Sequence, residues 1–151
     1  MLSRIPPMPI CQNLRFTATV QVDSNFERPP GAMLMRRLLS ELTARGWIAS
    51  EMDNWRDCGW FAVCRRASSE LTVVLNWVER GYWILQISPW RTPGFIQRML
   101  GGKPSAAPSD VQELALAVQN ALSRLGYLDN PRWRWDGFPD ETHSTSEPQA
   151  A

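Results

Sequence analysis

The chain has 151 residues, the length of one ordinary domain, and folding at that length hides roughly 68–70% of the unfolded surface without help from disulfides or metal. Hydrophobic residues make up 44% and charged residues 21%, which excludes global disorder, and a net charge of +1 excludes an overtly basic nucleic-acid binder.

Two biases stand out. The chain has 8 Trp, more than its 5 Phe and 2 Tyr, and Lys103 is the only one of its 16 basic residues that is not Arg. No stretch approaches the ~20 apolar residues that a spanning helix needs. Residues 1–10 hold Pro6, Pro7 and Pro9 and no continuous apolar run, so they do not read as a signal peptide. The cysteines, Cys11, Cys58 and Cys64, are odd in number. If Cys58 and Cys64 share a strand they lie about 20 Å apart, well beyond the roughly 7 Å limit for bridging. Three reduced thiols point to a cytoplasmic protein.

In chain order, residues 1–13 form a Pro-rich lead-in. From Leu14 to Val22 the residues alternate, with Leu14, Phe16, Ala18, Val20 and Val22 on one face, as a half-buried strand requires. A helix follows over Ala32 to Arg45. Met35, Leu38, Leu39 and Leu42 make its apolar stripe, Glu41 and Arg45 are spaced to pair, and Gly46 stops it. Trp47 to Met52 suggests a short strand and Asp53 to Asp57 a turn. Three strands come next, Cys58–Arg66, Leu71–Val78 and Tyr82–Ser88, with connections short enough for antiparallel hairpins.

Thr92 and Pro93 suggest an N-cap and first residue for a short helix through Leu100. A linker over residues 101–108 leads to the last helix, Asp110 to Leu125. Its expected N-cap is Ser109, with Gln112 completing a capping box, and Gly126 closes it. Residues 140–151 read as a polar tail without fixed structure. The expectation is a single α+β domain over residues 14–139. It is a two-layer sandwich in the order β-α-β-β-β-α, with an antiparallel sheet of about four strands and helices on one face. The α-β-β-β-α portion resembles double-stranded-RNA-binding domains in element order alone. The basic run that such domains carry at the last helix is replaced by Asp110 and Glu113, which repel phosphate.

Catalytic sets are scarce. The only histidine, His143, falls in the tail. Without an imidazole a Cys nucleophile lacks an activator, and Cys58 and Cys64 read as small apolar fillers. The acids Asp53 with Asp57, and Asp136 with Asp140 and Glu141, sit in turns beside arginines and read as solvated. Catalysis would need Glu51, Asp53 or Asp57 to converge in a closed pocket. Gly101-Gly102-Lys103 lacks the spacing of a phosphate loop. No cofactor or metal motif is present.

Partner-binding residues are the better prospect. The sheet's open face is expected to carry Trp60, Tyr82 and Gln86, with Trp60 there if Phe61 and Val63 face the helices. Aromatics packed against loops or the lead-in are the competing reading. Trp55, Arg56, Trp90, Arg91, Trp133, Arg134 and Trp135 combine the residue types enriched at hot spots. The C-terminal pair Trp133 and Trp135 reads rather as a lid folded back on the domain, with the arginines outward. Phe95, Ile96, Met99 and Leu100 form an apolar ridge expected to pack into the core. Eight residues with one arginine bind membranes poorly unless basic charge is added. The expected function is a non-enzymatic cytoplasmic domain that binds another protein, of the immunity or chaperone kind, without membrane association. Single-stranded nucleic-acid binding by aromatic stacking and a small carboxylate-dependent enzyme are the alternatives.

Overall fold

A computed structural model describes residues 10–18, 29–78 and 82–151, with the side chain of Phe95 excepted. Among the described residues seven strands form one antiparallel open sheet, accompanied by three helices, in an α+β arrangement. The strands are β1 (Gln12–Thr17), β2 (Ile48–Ala49), β3 (Asp53–Trp55), β4 (Gly59–Arg66), β5 (Ser69–Val78), β6 (Tyr82–Pro89) and β7 (Asp129–Trp135). The helices are α1 (Ala32–Ala44), α2 (Phe95–Met99) and α3 (Pro108–Leu125). The sheet order is β2-β4-β5-β6-β1-β7, with β3 also paired to β4.

The period-2 pattern decides which side of each strand is dry. Leu14 and Phe16 on β1 pair with Leu85 and Trp83 on β6, and Leu75 and Val73 on β5 pair with Leu85 and Ile87. Ala62 and Cys64 on β4 continue the same rows. Against this face lie the apolar stripes of α1 (Leu34, Met35, Leu38, Leu42) and α3 (Val111, Leu114, Val118, Leu122), all at most 1% exposed. Burial at about 25 cal/mol per Å² is what holds these layers together. Gly31, ahead of α1, has φ +103°, and a Cβ there would stand 2.6 Å from the Trp83 ring, so only glycine fits.

Several expectations are corrected. Among the described residues the sheet has seven strands rather than about four, because Asp53–Trp55 pairs as a strand inside the expected turn, and Asp129–Trp135, expected to fold back as a lid, pairs with β1. Within 53–57 only Arg56 and Asp57 turn, while Asp53–Trp55 pairs with Gly59–Phe61. In β7 the alternation sends Trp133 and Trp135 to the core face and Arg132 and Arg134 to the other. Pro131 is tolerated because β7 is an edge strand, where an N–H can be spared. A bulge beside Arg15, with Asn130 at φ 49°, absorbs the extra residue.

β1 begins at Gln12, inside the expected lead-in, and residues 19–22 of the expected first strand lie outside the described residues. Residues 140–151 are packed rather than loose. Thr145 bridges to Trp133, Ser144 is buried, and the Gln149 N–H donates to Gln12 Oε1 at 2.6 Å.

The helix starts also shift. α3 opens at Pro108, whose fixed φ suits the first helical position, and Asp110 Oδ2 accepts the Ala107 N–H at 2.8 Å. Ser109 therefore lies inside the helix. Gly94, not Thr92, precedes α2, and Gln97 Oε1 accepts its N–H at 3.1 Å. Glu41 pairs with Arg124 of α3 at 3.1 Å instead of with Arg45, tying the two long helices together. β1 and β7 widen the sheet beyond the three-strand meander, which ends the likeness to double-stranded-RNA-binding domains.

Candidate partner-binding surface

The face of the sheet away from α1 and α3 carries Phe61, Val63, Val74, Asn76, Ile84, Gln86, Asn13 and Arg15 in paired rows. Its two ends differ. At the β3–β4 end three aromatic rings meet: Trp55 lies edge-on to Phe61 at 5.6 Å, and Phe61 stacks on Trp90 at 6.4 Å with an interplanar angle of 14°. The Arg56 guanidinium lies 5.0 Å from the centroid of the Trp55 ring, within cation–π range.

Local backbone chemistry builds this corner. Trp55 to Cys58 form a turn closed by Cys58 N–H to the Trp55 carbonyl at 3.0 Å, with Arg56 at φ 50° and Asp57 at φ 59°. Positive φ at both central residues is the twist-matched hairpin turn, here made without glycine. Non-glycine residues in this region cost of order 1–3 kcal/mol each and tend to cluster at functional sites. Gly59, paired with Trp55, is required because a Cβ there would sit 2.2 Å from the Leu75 carbonyl oxygen.

Trp90 is set by its N–H bond to the Glu70 carbonyl at 2.9 Å. Arg91 is held at the backbone by Ser105, whose N–H donates to the Arg91 carbonyl and whose Oγ accepts the Arg91 N–H, both at 2.9 Å. Trp90 is 39% exposed. Arg56 and Arg91 are exposed and make no ion pair among the described residues.

The opposite end is occupied by the chain itself. Arg15 lies 6.0 Å from the Tyr82 ring centroid and 5.8 Å from that of Phe138, and it pairs with Glu141. Asn13 Nδ2 donates to the Gly137 carbonyl at 2.9 Å, and Arg134 donates to the Phe138 carbonyl at 3.1 Å. Arg132 reaches Ser144 Oγ at 2.7 Å. His143 turns back on Asp140 at 3.0 Å, and its ring and backbone hydrogen bonds hold the Asp140 carboxyl below its ordinary range.

The expected binding residues thus separate. Trp55, Trp90 and Arg56 gather around Phe61, which the sequence left without a face, while Arg91 lines a separate cleft with Lys103. Tyr82 is exposed, beside Arg15 at the other end. Gln86 is half-buried, its Nε2 donating to Cys11 Sγ at 3.2 Å, and burial pushes the Cys11 thiol up. Trp60 is corrected: it shares the core face with Leu75, packs on the core and donates to the Pro29 carbonyl at 2.9 Å. Trp133 is fully buried and donates to Gln119 Oε1 at 2.5 Å. Trp135 is half-buried under the C-terminal segment, its Nε1 3.1 Å from the Gln149 carbonyl. Trp77, which the alternation Leu71, Val73, Leu75, Trp77 puts on the inner row of its strand, is nevertheless 39% exposed.

An open cleft of about 440 Å³ between α1 and the β2–β3 edge is lined by Arg36, Leu39, Ser50, Glu51, Met52 and Trp60. Glu51 is its one carboxylate, while Asp53 and Asp57 lie elsewhere on the exposed hairpin. Among the described residues no cluster of three acid, histidine or cysteine side chains is placed to hold a metal, and no helix is long and apolar enough to cross a membrane. No protein-family model matches the chain, and no curated protein matches it in sequence.

Proposed function

We propose that the chain is a non-enzymatic, cytoplasmic protein-binding domain, of the immunity or chaperone kind, that engages its partner through the aromatic corner of the open sheet face. The supporting observation is the contiguous set Trp55, Phe61 and Trp90 beside the unpaired Arg56. Stiff aromatic rings and an uncommitted guanidinium are what a hot spot uses, because they bury large area at small entropic cost. The acids on the same hairpin as Trp55, Asp53 and Asp57, are exposed, and exposure leaves a carboxylate without the burial that acid–base work needs.

The test places a photo-crosslinking amino acid at position 90, and at exposed Ser40 on α1 as a control, in the native cell. One protein adduct from position 90 and none from position 40 is expected. Titration of that purified partner with Trp90→Ala should then show affinity weakened by roughly thirtyfold or more. Adducts at neither site, or equal adducts at both, overturn the reading. Recovery of nucleic acid that falls away steeply with salt would replace it with single-strand binding by base stacking.

A further inference from the structure

The excursion between β6 and α3 is not absorbed by that reading. Its neck is closed where Arg91 and Ser105 exchange backbone and hydroxyl bonds and Ser105 Oγ donates to the Glu70 carbonyl at 2.8 Å. Beyond the neck the chain is locally self-bonded: Arg98 N–H to Gly94 carbonyl at 3.0 Å, and Gly102 N–H to Gln97 carbonyl at 2.7 Å. At its tip α2 presents Ile96, Met99 and Leu100, spaced i, i+3, i+4 on one side. They are 72%, 74% and 83% exposed, the most exposed large apolar residues described. These three residues of the ridge expected in the core therefore point outward.

Within the excursion itself the charge has one sign, the acid at its neck, Glu70, being paired with Arg65. From Tyr82 to Ser109 the sequence holds Arg91, Arg98 and Lys103 and no Asp or Glu. None of the three cations makes an ion pair among the described residues. Arg91 and Lys103 line one open cleft of about 410 Å³ with Gln97 and Leu100. The basic charge that the helix alone lacks is supplied by the two arms of the excursion.

We propose that this excursion docks the protein on an anionic phospholipid surface. Ile96, Met99 and Leu100 enter the headgroup–acyl boundary, and a lipid phosphate lies between Arg91 and Lys103. Apolar insertion combined with juxtaposed cations is the pairing that interfacial binding requires, since neither contribution suffices alone. The proposal does not depend on the aromatic corner having a protein partner.

The experiment is co-sedimentation of the full chain with vesicles of phosphatidylcholine containing phosphatidylglycerol, against phosphatidylcholine alone, at low and moderate salt. Binding to the anionic vesicles only, weakened by salt, is expected. The variant carrying Ile96→Gln, Met99→Gln and Leu100→Gln should lose at least tenfold in affinity with an unchanged circular dichroism spectrum. Arg91→Gln with Lys103→Gln should bind roughly thirtyfold more weakly. No binding to anionic vesicles, or full binding by the Gln variant, overturns the proposal. Displacement by millimolar inorganic phosphate would show a free-anion cleft instead, and equal binding to polyglutamate would assign the surface to an acidic protein.

Discussion

Replacing Trp133 probes whether the C-terminal Arg-Trp segment is a strand of the domain or a detachable cover. Trp133 is 0% exposed, pairs with Leu14 across β1 and donates to Gln119, itself only 9% exposed. Trp133→Ala removes a buried indole, which costs about 3–5 kcal/mol, and strands the Gln119 carbonyl oxygen, worth about 1–3 kcal/mol more. Against a total stability of about 5–15 kcal/mol, that loss is large enough to unfold a marginal domain. Trp133→Phe is the finer instrument. It keeps most of the ring's buried area and loses the N–H, so about 1–3 kcal/mol is expected. At roughly 2–4 °C per kcal/mol for a chain of this size, Tm falls by about 2–12 °C. Urea titration by circular dichroism measures the first quantity and a thermal scan the second. Adding Gln119→Leu to Trp133→Phe should recover part of the loss, because both polar partners are then gone. If Trp133→Ala unfolds at the wild-type urea midpoint, β7 is not part of the sheet and the argument fails.

The same packing carries three further predictions. Burial pushes the Cys64 thiol up to about 12 from its ordinary 9.0. The folded state then holds the proton that the unfolded chain releases, so this contribution is complete below about pH 9 and is lost as pH rises toward 12. Cys64→Ala should flatten the alkaline limb of a stability–pH profile, and a thiol reagent at neutral pH should label exposed Cys58 well before buried Cys64. Equal labelling rates would contradict the burial. Deleting residues 141–151 removes Ser144 and Thr145 from β7 and Gln149 from Gln12 and Trp135. Each lost hydrogen bond is worth about 0.5–1.5 kcal/mol, so several kcal/mol of stability and a lower urea midpoint are expected. An unchanged midpoint would restore the reading of those residues as a free tail.

How much was legible from the chain alone depends on how local each signal is. α1 and α3 carry their own 3.6-residue stripe, and Gly46 and Gly126 mark their ends, so both helices were readable nearly to the residue. Strands β4, β5 and β6 follow one another through short turns, and alternation with turn residues is again a local pattern. β7 was missed because its partner β1 lies more than a hundred residues away and Pro131 disguises it, although Trp133 and Trp135 do alternate with Arg. The C-terminal segment looked loose because its polarity is visible in sequence, whereas the carbonyls and arginines that bind it are not.

The tryptophan and arginine excess shows the same division. Composition established that large apolar rings and guanidinium groups were available in unusual number. Tertiary structure decided which were committed. One residue of register in β4 sends Trp60 to the core and Phe61 outward, because successive side chains take opposite faces and pairing sets which face is dry. Trp83 and Trp133 are spent on the core, Arg15 and Arg132 on the C-terminal segment. Trp55, Trp90 and Arg56 remain together at one corner of the other face, joined there by pairings that no local pattern encodes.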